Sequence, residues 1–254
     1  MTQTSNGFER HNIDHLSASS INLWSNAPDV WVMQYLFGKR TAMGAAAWRG
    51  ICTEDAVVET LMGGSEKDAI AKALTKFDSR FPIGDEKTTK ERDMIEPMVQ
   101  VAIEELMEFG KPEFPEEGGQ NKISITAKGD GWEIPVIGYL DLVFPQHGLV
   151  IDLKTTSRIP STMSAEHQLQ RAIYAKAKGG NQAVKFLYVS PKKASMLEDG
   201  EVADTLAKAK VQISRMEAFL RLLDRDQAKS IVPVQVNSYY WSGSEDLRRE
   251  FYGI

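Results

Sequence analysis

An α/β fold with helices around it is predicted by three features of the 254-residue chain. Apolar residues recur at helical spacing from Leu16 to Phe109. The pattern then changes to strand-like runs at Lys122–Ala127, Trp132–Val143 and Gly148–Lys154. A helical stretch, Ala165–Lys178, separates the last of these from another strand-like run, Val184–Val189, the order of a crossover joining neighbouring parallel strands. No linker, internal repeat or low-complexity tract interrupts the chain. Residues 1–254 therefore read as one domain, with a core at about 45–193, N-terminal helices at 15–44 and a C-terminal helical extension at 200–254.

The first element opens after His15, where LSASS offers serines for an N-cap. Pro28 divides two short helices. Ala45–Met62 reads as a helix closed by Gly63-Gly64, and Glu66–Phe77 and Lys87–Phe109 read as two more. KPEFPEEGGQ, from Lys111, is a loop, since Pro and Gly break both regular structures. The earlier strands are expected to meet through hairpins. Val202–Asp226 is a long helix, Val234–Trp241 reads as a final strand, and a short helix ends the chain.

Composition narrows the function. The chain is 42% hydrophobic, enough for a sizeable core. No apolar run approaches the roughly 20 residues that span a bilayer. The opening MTQTSNGFERHNID lacks the apolar centre of a signal peptide, so a cytoplasmic protein is expected, with no membrane partner. The single cysteine, Cys52, excludes an intramolecular disulfide framework, a four-cysteine zinc site and a cysteine-held iron–sulfur cluster. Net charge is −5, but Val150–Lys193 holds eight basic residues against two acidic ones. That stretch reads either as a solvated helix face with a basic loop or as a local anion-binding face.

The stretch GYLDLVFPQHGLVIDLKTT, Gly138–Thr156, carries the chemistry. It places Asp141, Asp152 and Lys154 inside runs that otherwise suit a core. Asp152 and Lys154 are two apart, so they share a strand face, while Leu153 points to the other side. A hairpin around Pro145–Gly148 brings Asp141 beside Asp152. Two adjacent carboxylates repel, and a divalent cation between them relieves that cost. Hard oxygen donors suit Mg²⁺ or Mn²⁺, with water and phosphate oxygens completing the shell. Standing alone, a D-x-K triplet is a surface ion pair worth little. Here Val150, Ile151 and Leu153 mark the strand as buried, where an unpaired charge is expensive. Gly138 reads as a point where backbone approaches a ligand closely.

Four motifs stand in order: WRGICTE (Trp48–Glu54), GYLD (with Asp141), IDLKTT (with Asp152 and Lys154) and QRAIY (Gln170–Tyr174). HLSASSINLW precedes them. Together they resemble the PD-(D/E)xK nuclease superfamily, in particular its RecB-like and phage recombination exonuclease branch. The resemblance spans Leu16 to Lys193. It implies a mixed β-sheet flanked by helices in a restriction-endonuclease-like core. It also implies one or two Mg²⁺ or Mn²⁺ ions on Glu54, Asp141, Asp152 and the Leu153 carbonyl, with Glu59 on the same helix as an alternative to Glu54. Asp141, Asp152, Lys154 and Gln170 are the expected catalytic set. Lys154 assists the attacking water and Gln170 positions it. Asp152 stands where Glu is commoner in the family, and the cysteines that some relatives use for an iron–sulfur cluster are missing.

DNA is the expected partner, with recombination proteins of a phage or host as further ones. Arg49, Thr155, Tyr174, Arg171, Lys192 and Lys193 are expected contacts to it. Arg49 equally suits a carboxylate partner, and Tyr174 equally suits the core with its hydroxyl reaching the site. Thr156 and His167 are lesser candidates, and Trp24, Trp31 and Trp48 read as core. The expected activity is exonucleolytic hydrolysis at DNA ends in recombination or repair. An endonuclease, a non-catalytic DNA-binding module on the same fold, and an unrelated α/β enzyme on small anions are the alternatives.

Overall fold

In the computed structural model, described for residues 6–81, 84–113, 121–125 and 132–254, eleven α-helices surround two β-sheets. The start of the chain is helical. A short α1 (Gly7–Arg10) precedes a two-residue strand β1 (Leu16–Ser17) and α2 (Ala18–Asn26). Ser17 caps α2 by accepting from the Ser20 amide, and Ser20 returns the bond. Pro28 opens α3 (Pro28–Phe37), where its missing amide costs nothing, and Gly38 closes it at φ 68°. Next come α4 (Ala45–Leu61), α5 (Glu66–Arg80), α6 (Glu86–Asp93) and α7 (Ile95–Leu106). The single helix expected over Lys87–Phe109 is broken at Met94. Pro97 has no amide to donate to the Asp93 carbonyl, so α7 begins afresh at Ile95.

The strand expected over Trp132–Val143 is two strands. β3 (Val136–Leu140) pairs antiparallel with β2 (Asn121–Ile125) and parallel with β1. The chain bends at Asp141, and β4 (Leu142–Phe144) joins a second sheet of order β4-β5-β6-β7. There β5 (Leu149–Thr155) pairs antiparallel with β4 and parallel with β6 (Ala183–Ser190). The connection between β5 and β6 is α8 (Ala165–Ala177), as the motif order predicts. Two sheets thus replace the one expected. Lys192 forms a tight turn rather than part of a loose loop, and Lys193 begins β7 (Lys193–Leu197), antiparallel to β6. Part of the loop from Lys111 and the end of the Lys122–Ala127 run lie outside the described residues.

α9 (Val202–Leu222), α10 (Arg225–Ile231) and α11 (Glu245–Tyr252) complete the chain. Val234–Trp241 is not a strand. It follows Pro233 and is held by one buried carboxylate: Asp29 Oδ2 accepts from the Gln235 amide at 2.9 Å and from Trp241 Nε1 at 2.8 Å. Among the described residues no helix is long and apolar enough to cross a membrane.

Alternation along β5 divides the interior. Leu149, Ile151 and Leu153 join a core with α4, α5 and α7. Val150, with Val184, Phe186 and Tyr188 of β6, joins another built from α2, α3, α8, α9 and the C-terminal residues Trp241 and Phe251. Asp152 and Lys154 follow Val150 on this second face, so α8 is the helix laid over them.

Candidate active site

The β4–β5 register matches Leu142 with Ile151, which sets Asp141 opposite Asp152. The two carboxylates are buried, at 8% and 0% exposure. Asp141 Oδ2 accepts from the Leu153 amide at 3.1 Å. Asp152 Oδ2 accepts from Gln170 Nε2 at 2.7 Å, and its Oδ1 forms an ion pair with Lys154. Burial, then the charges of Asp152 and Glu54, hold the Asp141 carboxyl well above the usual range. Burial likewise raises Asp152, against the pull of Lys154. For Lys154 burial works downward, but Asp152, Asp141 and Glu54 outweigh it and keep the ammonium protonated. The ammonium also lies 5.4 Å from the centre of the Phe186 ring.

Three carboxylates therefore bear on one ammonium. Glu54 reaches them from α4, half-buried and within electrostatic range of Asp141, Lys154 and Tyr174. Among the described residues no three His, Cys, Asp or Glu side chains stand as a finished metal cage. The donor chemistry nonetheless fits a hard divalent cation. The donors are oxygens, two are adjacent and buried, and their mutual repulsion is only partly offset.

Gln170 turns its nitrogen toward Asp152 Oδ2, which accepts when the carboxylate is ionised. That nitrogen also donates to Tyr174 Oη at 2.7 Å, and Tyr174 donates in turn to the Tyr139 carbonyl at 2.6 Å. Gln170 Oε1 is left to accept. Gly138 makes this network possible, since a Cβ there would lie 2.6 Å from Tyr174 Cε1. Gly138 thus makes room for a tyrosine, and it also lines the cleft described below. Tyr174 is 4% exposed, its ring in the core and its hydroxyl at the site, and burial pushes that hydroxyl far upward.

Arg49 has the carboxylate partner that its sequence equally suited. It is 4% exposed, ion-paired with Glu91 of α6, and donates from Nη2 to Thr155 O at 3.3 Å and Oγ1 at 3.2 Å. It fastens α4 to the end of β5. Gly50 serves the same contact, since a Cβ there would lie 3.2 Å from Thr155 Oγ1. Thr155 is thereby engaged within the protein, as is Thr156, which donates to Arg158 O. Arg171 is also engaged within the protein: its Nε donates to Val184 O, and its guanidinium meets Gly200 O and Glu198. Lys185 shares Glu198 as well. Lys192, in the turn after β6, and Lys193, the first residue of β7, are exposed beyond the end where β6 pairs with the end of β5. Glu59 is ion-paired with Lys72, and His167 contacts Tyr188 Oη at 2.6 Å. Trp31 is fully buried, Trp24 packs edge-on against it, and Trp48 carries Lys76 and Arg80 over its ring.

Next to Lys154 and Gln170 opens a cleft of about 730 Å³, walled by α2, β3, α8 and the C-terminal Tyr240. The model of the PD-(D/E)XK nuclease superfamily matches residues 15–239, from the first strand through this C-terminal segment. The chain belongs to the PD-(D/E)XK nuclease superfamily. Nuclease activity on nucleic acid is the coarse function this membership supports, and nucleases of the superfamily generally use divalent metals. No curated protein gives a significant match. Among solved structures, the crystal structure of SSO0001 aligns at 11% identity over 72% of this chain and 82% of that one, with a TM-score of 0.34.

Sequence reasoning missed Glu91 as the partner of Arg49, Phe186 beneath Lys154, and Tyr139 and Tyr240 beside the site. The Gly138 signal was present in the sequence, but it pointed to Tyr174.

Proposed function

We propose that this PD-(D/E)XK protein is a Mg²⁺- or Mn²⁺-dependent deoxyribonuclease acting as an exonuclease at DNA ends. The observation that carries the reading is the buried Asp141–Asp152 pair, with Lys154 and Gln170 bound to Asp152 at the edge of an open cleft. Asp141, Asp152, Glu54 and the Leu153 carbonyl would hold one or two ions. Such an ion lowers the pKa of a bound water and offsets phosphate charge. Gln170, pinned by Asp152 and Tyr174, offers Oε1 to accept from the attacking water and so orients it. Lys154, protonated and held by Asp152, places a positive charge where the phosphate gains negative charge. Lys192 and Lys193 are the remaining candidates for backbone contact.

We assign residues 1–254 to one nuclease domain, with about 45–193 as its core and helical additions on both sides. A cytoplasmic role in recombination or repair, with phage or host recombination proteins and without an iron–sulfur cluster, belongs to the same reading. Mn²⁺ titration against linear and closed circular DNA tests it. Nucleotide release from linear DNA alone, lost in Lys154→Ala and Asp141→Ala, is the expected result. Cut circles would make it an endonuclease, and no metal-dependent cleavage of either substrate would reject the reading.

A further inference from the structure

We propose that His167 is a further substrate-contacting residue: its Nε2–H, fixed by a hydrogen bond from Tyr188, donates to an oxygen of the phosphate group that lies against Lys154. This rests on the nuclease reading for the phosphate alone; the donor follows from the packing around α8.

His167 is the third residue of α8, and Ser164 Oγ accepts from its amide at 3.2 Å. Gln170 follows one turn later on the same helix face. The two side chains divide the sheet beneath them. The β5–β6 register pairs Asp152 with Phe186 and Lys154 with Tyr188. Gln170 reaches Asp152, and His167 Nδ1 reaches Tyr188 Oη at 2.6 Å. The imidazole lies 5.6 Å from the centre of the Phe186 ring, and the Lys154 ammonium lies 5.4 Å from the same centre. His167, Lys154 and Gln170 all line the cleft.

The direction of the Tyr188 bond decides the chemistry. Tyr188 is 3% exposed, so its hydroxyl proton needs an acceptor inside the protein. Among the described residues its hydrogen-bond partner is His167 Nδ1, and the protonated Lys154 across the strands has no lone pair to take it. Tyr188 therefore donates, Nδ1 accepts, and the ring proton sits on Nε2. Burial, then the Lys154 charge, hold the imidazole at about 4, so the ring is uncharged at neutral pH. Among the described residues Nε2 has no protein partner, and it is not enclosed. It opens onto the cleft as a donor without an acceptor.

An uncharged N–H suits this place. A second cation would repel the Lys154 ammonium. An imidazole N–H adds a hydrogen bond to a phosphate oxygen without that cost, and it gives up no proton in doing so.

Long-range ¹H–¹⁵N spectra of the protein labelled with ¹⁵N-histidine read the tautomer directly, and the His167 signals are those lost in His167→Gln. The Nε2–H form is expected at pH 7, and Tyr188→Phe should mix the two tautomers. An Nδ1–H form, or an imidazolium, in the wild type would overturn the proposal. Metal-dependent cleavage of linear DNA reads the contact itself. His167→Leu should lower kcat about a hundredfold with KM nearly unchanged, and His167→Gln, whose amide nitrogen can stand in for Nε2, should recover most of that loss. Wild-type kcat in His167→Leu, or a glutamine variant as slow as the leucine one, would also overturn it. Thermal unfolding checks that both variants are folded. The two readings fail separately. A wild type that cuts no DNA removes the nuclease reading, while the spectrum still decides the donor. A wild type that cuts DNA, with His167→Leu equally fast, removes this one alone.

Discussion

Two buried charge clusters lie on either side of β5, and they are built on opposite plans. Around Arg49 the charges match: one guanidinium faces one carboxylate, Glu91, and its Nη2 donates to Thr155. Around Lys154 they do not, because one ammonium faces Asp152, Asp141 and Glu54. A balanced buried pair suits a fastening. A cluster short of positive charge is costly to keep, and an external cation or a substrate can relieve that cost. Charge balance, more than burial or motif membership, separates the surroundings of Arg49 from those of Lys154.

Four measurements break or sharpen that contrast. The largest effect is expected at Lys154: Lys154→Ala should lower metal-dependent DNA cleavage about a thousandfold in initial-rate assays. Arg49→Met comes next. It strands Glu91 and should cost about 3 kcal/mol in urea unfolding, with much of the loss recovered in Arg49→Met/Glu91→Leu. If Arg49→Met instead keeps wild-type stability and loses DNA binding, the fastening role is wrong. Asp141→Asn removes one of the crowded charges while its oxygen still accepts from the Leu153 amide. It should gain about 1 kcal/mol in EDTA while losing cleavage, a trade that the balanced cluster does not offer.

The smallest effect concerns His167, which looks onto Lys154 from α8. Burial, then the Lys154 charge, pushes its imidazole down from 6.5 to about 4. The folded protein therefore holds it neutral, while the unfolded chain takes up a proton near its ordinary value. Its contribution is present above pH 6.5 and is lost as pH falls from 6.5 toward 4. His167→Gln should flatten that part of the stability profile, and an unchanged slope would show that His167 titrates normally.

Much of this was legible in the residues. The Asp141–Asp152 pairing follows from strand alternation and the length of the Pro145–Gly148 turn, both local quantities. Gln170 and Tyr174 share a helix face for the same kind of reason. What stayed hidden depends on distance along the chain. Glu91 lies 42 residues from Arg49, and no local pattern couples them. β1 has two residues, too few to show a period. Val234–Trp241 has the apolar content of a strand, yet Asp29, more than 200 residues earlier, decides its path. The two-sheet arrangement was hidden because Leu140 and Leu142 flank Asp141, and no proline or glycine stands at the bend.

That bend has a consequence for anyone who alters the protein. Asp141 is the corner residue where the backbone leaves one sheet for the other, so its carboxylate inherits the angle between the two panels. Repacking far from the cleft, against either panel, changes the aim of that side chain without touching it. A stabilised variant is therefore best judged by whether its corner has turned, before its midpoint of melting is compared.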